Sequence, residues 1–341
     1  MLEIGSVIDG KYKILNQIGK GGMSVVYLAL NERANKTWAI KEVRKDGVQD
    51  FATVKQGLIA ETDTLKRLNH KYLPSIIDVI DDEDTFLIVM DYIEGKSLNK
   101  VLKESMEQTG LPIGIEDVLS WGIQLCDVLN YLHTREKPIV YRDLKPSNIM
   151  LRPNGEITLI DFGTAREFKI ENIEDTTSLG TPGYAAPEQY SLNSWQGNWT
   201  DVYGISAVLY RVLTGTRPSD GNSRRISDDL CPPDELNRKI PANISDAIFS
   251  GMVVSSEKRV QSIDEFTGLL LEEGDTHTAV FESSKVNLEI KKKKPKNRKV
   301  RVAVWAMVVT TLILLGLMFW VLHTLGIFRQ EETSKPSQTI S

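Results

Sequence analysis

The chain has 341 residues, of which 41% are hydrophobic and 26% are charged, a composition typical of a globular protein that can bury a core. The formal charge is −5, but eight basic residues and no acidic one lie between Lys291 and Arg301, so the rest of the chain carries −13 (−5 minus 8). An acidic body with one basic run argues against a nucleic-acid partner, because nucleic-acid binders carry their basic surface on the fold.

The first part of the chain, residues 12–93, is predicted to form mainly strands. Apolar residues alternate in "SVVYLAL", "TWAIKEV" and "TFLIVMDYI", as they do in half-buried strands. One segment, "GLIAETDTLKRL", has its apolar residues at helical spacing instead. The amino terminus has no basic start followed by an apolar stretch, so no signal peptide is expected.

From Val118 onward, helical patterns dominate: "VLSWGIQLCDVLNYLHTR", "TDVYGISAVLYRVLTG", "ISDAIFSGMVV" and "SIDEFTGLLLEE". The predicted fold class is therefore α+β, with a small β-rich lobe before a large helical lobe. Cys126 lies in the first of these patterns and is expected to be core. Cys126 and Cys231 are the two cysteines, which indicates a reducing compartment and neither a disulfide framework nor a zinc site.

The carboxyl-terminal part is predicted to anchor the chain in the cell membrane. The stretch from Val302 to Leu322 holds 21 residues without a charge, enough to cross about 30 Å of hydrocarbon. We expect a basic juxtamembrane linker at 273–301, a single transmembrane helix at 302–325 and a short extracytoplasmic tail at 326–341. A buried core helix is the alternative, but such helices seldom lack a polar face.

The basic run before the span predicts that the preceding domain faces the cytoplasm. It is either a topology signal alone or also a site that docks on the lipid bilayer. The sequence leaves both interpretations open.

Two features of the strand-rich part suggest phosphate binding. "IGKGGMSVVY" places Gly19, Gly21 and Gly22 in a turn between strands, where glycine lets backbone amides approach a phosphate. A glycine-rich hairpin is common, however, and a dinucleotide fingerprint would be followed by a helix. Lys41 lies in the strand "WAIKEV", and Glu61, in the following helical segment, is placed to pair with it.

A polar cluster in "IVYRDLKPSNIMLRPNGEITLIDFGTAREF" lies between apolar runs, which indicate short buried strands that hold a loop rigidly. The glycine loop, the strand lysine, Arg-Asp followed by Asn, Asp-Phe-Gly and Ala-Pro-Glu occur in this order. Over residues 12–272 the chain resembles the protein kinase family, specifically the bacterial eukaryotic-like (Hanks-type) serine/threonine kinases. The resemblance implies a two-lobed kinase domain that phosphorylates Ser/Thr hydroxyls of protein substrates.

The resemblance also implies roles for individual residues. Lys41 would bridge the α and β phosphates of ATP, with Glu61 positioning it. Asp143 would accept the proton of the substrate hydroxyl, and Lys145 would contact the transferred phosphate. These four residues are the implied catalytic set.

The cofactors implied are ATP and Mg²⁺ (or Mn²⁺), the metal being held by Asn148 and Asp161. Adenine would lie between Val26 and Ala39 above and Met150 below. Core packing would satisfy these apolar residues equally well. The residues implied in ATP binding are Ile18, Gly19, Lys20, Gly21, Gly22, Met23, Ser24, Val25, Val26, Ala39, Lys41, Met90, Asp91, Tyr92, Ile93 and Met150.

The activation segment of the resemblance runs from Asp161 to Glu188. Its hydroxyl cluster is the expected autophosphorylation site, with one copy acting on another in a transient homodimer; loop solvation is the alternative. Phosphate there would add charge that pairs with Arg142. The three hydroxyl residues of this cluster are Thr176, Thr177 and Ser178.

Four further residues have structural roles implied by the resemblance. Thr181 would tie the substrate-binding loop to the catalytic residues, and Glu188 would pair with Arg259 in the interior. Asp201 would either brace the catalytic loop or cap the helix that it begins.

The sequence departs from the family pattern at two positions. Ser24 replaces the third glycine of the phosphate loop, and Tyr141 replaces the usual histidine, where its ring is expected to pack against Phe162. A pseudokinase scaffold at the membrane is the alternative function, disfavoured because Lys41, Asp143 and Asp161 are all present. A small-molecule kinase is disfavoured by "GTPGYAAPEQY", which resembles a protein-substrate loop.

Overall fold

The structure, a computed structural model, describes residues 1–20, 24–44, 59, 62–63, 65–81, 85–161, 166–167, 180–191 and 194–272. A small lobe of antiparallel strands precedes a large lobe of helices. This confirms the predicted order of lobes. Five of the twelve residues of the predicted helical segment at 57–68 lie outside the described residues, and Glu61 is one of them.

The small lobe is a six-stranded sheet with the order β1-β2-β3-β4-β6-β5. Every neighbouring pair is antiparallel. Apolar residues alternate along β3, so that Val25, Tyr27 and Ala29 face the core while their neighbours face the other way. The strands are β1 (Val7–Ile8), β2 (Tyr12–Lys20), β3 (Ser24–Asn31), β4 (Lys36–Arg44), β5 (Ile76–Asp81) and β6 (Thr85–Asp91).

The large lobe is built around one central helix, α3 (Asn198–Thr214), whose residues from Thr200 to Tyr210 are all buried. A helix buried on every side forms the core of its lobe, and here it also provides a fixed base for the loops above it. The helices are α1 (Leu98–Thr109), α2 (Ile115–His133), α3 (Asn198–Thr214), α4 (Gly221–Arg224), α5 (Pro233–Leu236), α6 (Ala242–Gly251) and α7 (Ile263–Leu271). Cys126 on α2 is 2% exposed, which confirms it as core.

Short strands hold the loop at 141–148. The preceding strand β8 pairs with β11, and the following strand β9 lies between β7 and β10. This confirms the prediction of short buried strands on either side of the polar cluster. These strands are β7 (Lys96–Ser97), β8 (Ile139–Val140), β9 (Ile149–Leu151), β10 (Ile157–Leu159) and β11 (Arg166–Glu167), with 3₁₀ turns at Pro146–Asn148 and Pro187–Tyr190.

The predicted linker 273–301, transmembrane helix 302–325 and tail 326–341 lie outside the described residues. Within the part of the chain that the structure describes, no helix combines the length and apolar character needed to cross a membrane.

Candidate active site

Asp143 lies in the loop after β8, and its carboxylate has three neighbours at hydrogen-bond distance. Lys145 Nζ lies 2.6 Å and Asn148 Nδ2 2.9 Å from Oδ2, and the Thr181 hydroxyl donates to Oδ1 over 3.1 Å. Lys145 also donates to Thr181 Oγ1 over 3.3 Å. Because each carboxylate oxygen has a fixed donor, the carboxylate is held in one orientation while its side chain stays 19% exposed.

Such an arrangement suits transfer to a hydroxyl group. A fixed, partly exposed carboxylate can orient a hydroxyl and accept its proton. An ammonium group beside it stabilises the negative charge that develops on the transferred group. Asp143 and Lys145 therefore place a carboxylate and an ammonium group side by side within one short loop.

The backbone of this loop is strained at Arg142, which has φ of 70°. The Asp143 N–H donates to the Tyr141 carbonyl over 3.0 Å, so Arg142 is the central residue of a γ-turn with positive φ. A non-glycine residue in such a region costs about 1–3 kcal/mol and persists only where its surroundings hold it. The strain therefore points to strong restraints around Arg142.

Asp201, on the central helix α3, supplies one of these restraints. Its carboxylate accepts the N–H of Tyr141 and the N–H of Arg142, each over 2.8 Å, and lies 2.7 Å from His133 Nε2. It is 1% exposed, and the helix begins after Gly197 with no side-chain cap. The sequence left two interpretations of Asp201 open, a brace for the loop or a cap for the helix. The contacts favour the brace.

The Lys41 side chain on β4 reaches across to the large lobe. Its Nζ lies 2.7 Å from Asp161 Oδ1, and the two side chains are 15% and 45% exposed. The sequence did not predict this contact. The pair expected between Lys41 and Glu61 involves a residue outside the described ranges and stays a prediction.

Asp161, like Arg142, has positive φ, at 67°. The fully buried Tyr141 hydroxyl donates to the carbonyls of Ile160 and Asp161, the latter over 3.0 Å. Burial raises the pKa of Tyr141 well above its ordinary value, so the hydroxyl keeps its proton and acts as a donor. Tyr141 thus links the loop at 141–148 to the backbone at Asp161. Phe162, its expected packing partner, lies outside the described residues.

The residues suggested for a metal fit a hard divalent cation. Asn148 uses its amide nitrogen on the Asp143 carbonyl, at 3.0 Å, and on the Asp143 carboxylate, so its amide oxygen faces away from Asp143. The backbone carbonyl of Asn148 accepts the Ile160 N–H over 2.8 Å. This bond brings Asp161, the next residue, close to Asn148. Carboxylate and amide oxygens are ligands that Mg²⁺ accepts.

No group of three or more His, Cys, Asp or Glu residues that could hold a metal occurs among the residues described. Mg²⁺ is commonly held by one or two carboxylates together with substrate phosphates. Asn148 and Asp161 therefore suit a metal that binds together with a phosphorylated substrate.

Several residues expected to contact ATP share one face of the small-lobe sheet. Val26 is the cross-strand partner of Lys41, and Ala39 is the partner of Met90, and directly opposite residues project from the same face. Val25 projects the other way, since it is 2% exposed in the small-lobe core, so any contact with a nucleotide would come from its backbone.

The other residues expected at the nucleotide lie around this face. Gly19 pairs with Val26 and Lys20 with Val25. Ile18 and Tyr92 are exposed, whereas Ile93 and Met150 are half-buried. Ser24 begins β3 and Asp91 ends β6. Gly21, Gly22 and Met23 lie outside the described residues, as do Thr176, Thr177 and Ser178.

Glu188 and Arg259 form a buried pair beneath the segment at 180–191. Arg259 Nη1 lies 2.7 Å from Glu188 Oε1, and Nη2 lies 3.0 Å from Oε2. The side chains are 0% and 6% exposed for Arg259 and Glu188. Thr200 donates to Glu188, and Arg259 also donates to the Trp199 carbonyl over 2.9 Å. A bidentate pair with its remaining groups satisfied anchors this segment to the large lobe.

Sequence reasoning missed two side chains that contact the loop or its brace. His133 contacts Asp201, and Gln189 donates to the Arg142 carbonyl over 2.9 Å. His133 belongs to an apolar helical pattern that predicts core. Gln189 is a polar residue inside the motif "APEQY", and its place in that motif was a signal that the sequence offered.

Comparison with known proteins agrees with this geometry. The model of the protein kinase domain matches residues 12–260. A probable serine/threonine-protein kinase of Clostridium perfringens is 31% identical over 272 residues, covering 78% of this chain and 38% of the relative. Serine/threonine-protein kinase PrkC of Bacillus subtilis is 30% identical over 291 residues, covering 83% of this chain and 42% of the relative.

The serine/threonine-protein kinase PknD of Chlamydia trachomatis is 29% identical over 289 residues. The chain spans about two fifths of the length of the first two relatives and 30% of the third. The kinase-domain match covers well over half of the chain, and the ordered motifs lie within it. The chain belongs to the protein kinase family.

Proposed function

We propose that this chain transfers the γ-phosphoryl group of Mg-ATP to Ser and Thr hydroxyls of protein substrates. The observation that carries the proposal is the Asp143 carboxylate, held at both oxygens by Lys145, Asn148 and Thr181. Serine/threonine protein kinases among the similar proteins support the substrate class.

In the proposed reaction, Asp143 orients the substrate hydroxyl in line with the γ-phosphorus and accepts its proton as the new oxygen–phosphorus bond forms. The bond from that phosphorus to the β,γ-bridging oxygen breaks, and ADP leaves. Lys145 stabilises charge on the transferred group. Lys41 exchanges the Asp161 carboxylate for phosphate oxygens, which leaves that carboxylate available, and Asp161 together with the amide oxygen of Asn148 would hold Mg²⁺. When bound there, Mg²⁺ would supply positive charge that neutralises the phosphates.

The test is transfer of label from ATP radiolabelled at the γ-phosphate to casein, followed by identification of the modified amino acid. We expect label on Ser or Thr, and none in the Asp161→Asn variant. A pseudokinase scaffold would label no protein in either form. A small-molecule kinase would consume ATP when given its substrate while casein stays unlabelled.

We also propose autophosphorylation of the activation segment, between two copies in a transient homodimer. Thr176 or Thr177 is the expected main site, with Ser178 beside them, and a phosphate there would add about −1.5 to −2 charges. The support is Arg142, whose position next to Asp143 is held by Asp201. Mass spectrometry after incubation with MgATP tests this, and an unmodified 176–178 cluster in fully active enzyme would contradict it.

Membrane anchoring is the third part of the proposal. The uncharged stretch from Val302 to Leu322 and the preceding basic run support a single span with the kinase domain in the cytoplasm. External protease applied to intact cells is expected to leave residues before Lys291 uncut. Cleavage before Lys291 by the external protease would show that the orientation is opposite to the one proposed.

A further inference from the structure

The strained turn at Arg142 is held from two sides. Asp201 accepts the Arg142 N–H, and Gln189 donates to the Arg142 carbonyl over 2.9 Å. That carbonyl belongs to the same peptide group as the Asp143 N–H, which donates to Tyr141. The peptide immediately before the catalytic carboxylate is therefore fixed at both its oxygen and its nitrogen.

The other end of the Gln189 amide holds the final part of the activation segment. Its Oε1 accepts the Ala186 N–H over 2.8 Å. Because a backbone N–H can only donate, this contact assigns the oxygen to that side, and the NH₂ group must face the Arg142 carbonyl. Each half of the amide thus has a complementary partner.

The same segment reaches Asp143 a second time. Thr181 donates to the Asp143 carboxylate, and its carbonyl accepts the N–H groups of Tyr184 and Ala185. The segment therefore contacts the side chain of Asp143 through Thr181 and the backbone before Asp143 through Gln189. A change in the segment would reach the carboxylate through both contacts.

We propose that Gln189 is a positioning residue that fixes the Arg142–Asp143 peptide and couples the order of residues 180–191 to the orientation of the catalytic carboxylate. The inference rests on the proposed kinase activity. Misplacement of a reacting group by about 1 Å can cost 10²-fold in rate. Because the Gln189 amide contacts the backbone of Ala186 and Arg142, its loss is expected to lower kcat and to leave ATP binding and the buried Glu188–Arg259 pair unchanged.

Two variants of the full chain test the proposal. Gln189→Glu keeps the acceptor for Ala186 but replaces the donor to Arg142 with a carboxylate oxygen. Gln189→Met keeps the length and removes both bonds. We expect kcat for casein to fall about tenfold or more in each, with KM for ATP and the thermal midpoint near those of wild type.

The pH profile separates positioning from loss of packing. The carboxyl group introduced by Gln189→Glu can donate to the Arg142 carbonyl when it is protonated, whereas the ionised carboxylate cannot. The ratio of kcat in Gln189→Glu to wild-type kcat should therefore rise as the pH is lowered. The same ratio for Gln189→Met should stay constant, because methionine does not titrate.

Asn237 offers a matched control in the large lobe. Its Nδ2 donates to the Leu213 carbonyl over 2.8 Å, and its Oδ1 accepts the Lys239 N–H over 3.2 Å. Asn237→Asp makes the same chemical change without touching the catalytic loop, so we expect wild-type kcat. Wild-type kcat in both Gln189 variants would overturn the proposal, as would a loss of kcat that only parallels a lower thermal midpoint or equals the loss in Asn237→Asp.

A second readout does not depend on activity. Hydrogen exchange of residues 141–148 should be faster in Gln189→Met than in wild type, because the peptide before Asp143 loses a restraint. Unchanged exchange would overturn the proposal. An inactive wild type with faster exchange in the variant would instead contradict the kinase activity and leave the restraint by Gln189 supported.

Discussion

Two regions of this molecule contain an ion pair of the same length in opposite surroundings. In the cleft between the lobes, Lys41 and Asp161 are 2.7 Å apart and 15% and 45% exposed. In the interior of the large lobe, Arg259 and Glu188 are also 2.7 Å apart, but 0% and 6% exposed. The length of the contact is therefore no guide to what each pair does.

Burial and the number of partners distinguish the two regions. The interior pair is bidentate and has further bonds to Thr200 and to the Trp199 carbonyl, so neither charge can regain solvent when its partner is lost. The cleft pair lies near water, with the Asp161 side chain 45% exposed, so its charges can exchange partners. We infer that the interior pair holds the structure and that the cleft pair is available for chemistry.

The largest expected effect tests the chemical side of this comparison. Asp143→Asn should lower kcat by on the order of 10²-fold or more, because the group that accepts the substrate proton is lost. Asp161→Asn and Lys41→Met should do the same, while the thermal midpoint stays close to that of wild type. The measurement is phosphotransfer to casein beside thermal unfolding.

Asp246→Asn, at an exposed position on α6, makes the same charge change away from the site. It should leave kcat unchanged. Near-normal turnover in Asp161→Asn would remove that residue from the proposed metal site.

The next effect tests the interior pair. Arg259→Met should cost about 3–5 kcal/mol in the free energy of unfolding, because the Glu188 carboxylate would stay buried without its partner. Urea unfolding measures this change. Combining Arg259→Met with Glu188→Leu should recover part of the loss, since no uncompensated charge remains.

Lys96→Met is the matched control, because Lys96 lies 2.7 Å from Glu104 at the surface, with the two side chains 52% and 32% exposed. The free energy of unfolding of Lys96→Met should equal that of wild type, since solvent replaces the exposed partner. Equal losses in Arg259→Met and Lys96→Met would show that burial does not separate the pairs.

An intermediate effect is expected at Asp201, which is buried in the large lobe and holds the loop before Asp143. In Asp201→Asn the side chain has one acceptor oxygen where the carboxylate has two, so either Tyr141 or Arg142 would lose the partner of its N–H. We expect a loss of about 1–3 kcal/mol in unfolding free energy together with a lower kcat. A stability loss with unchanged kcat would show that the brace is not needed for chemistry.

The smallest effect concerns pH and His70, at the junction of the lobes. Burial lowers the pKa of His70 from its ordinary 6.5, Asp127 opposes this shift, and Lys71 and Arg135 reinforce it. The folded state thus prefers neutral His70, whose Nδ1 accepts the Tyr72 N–H over 3.3 Å. Stability from this group is present above pH 6.5 and is lost as the pH falls below it.

Urea unfolding between about pH 5 and pH 8 should therefore show that the free energy of unfolding of wild type rises with pH. This rise should be smaller in His70→Gln. An equal rise in the two proteins would assign the pH dependence to other groups.

Much of the fold could be predicted because local patterns carry it. Alternating apolar residues specified β3, β4 and β6, and helical spacing specified α2, α3 and α7. Ordered motifs named Asp143, Lys145, Asn148, Asp161 and Lys41 before any distance was known. These features depend on residues close together in the chain, or on a resemblance that needs no coordinates.

Contacts between distant parts of the chain were decided by the tertiary structure. The bond from Gln189 to Arg142 joins residues 47 positions apart, the contact of Lys41 with Asp161 joins residues 120 positions apart, and Asp201 accepts from Arg142 across 59 positions. No periodicity or spacing encodes such pairs, because they arise only when packed elements bring their ends together. The sequence by itself determined which groups we propose for the chemistry, because their motifs are local, and the packing of α3 and the segment at 180–191 decided what holds those groups in place.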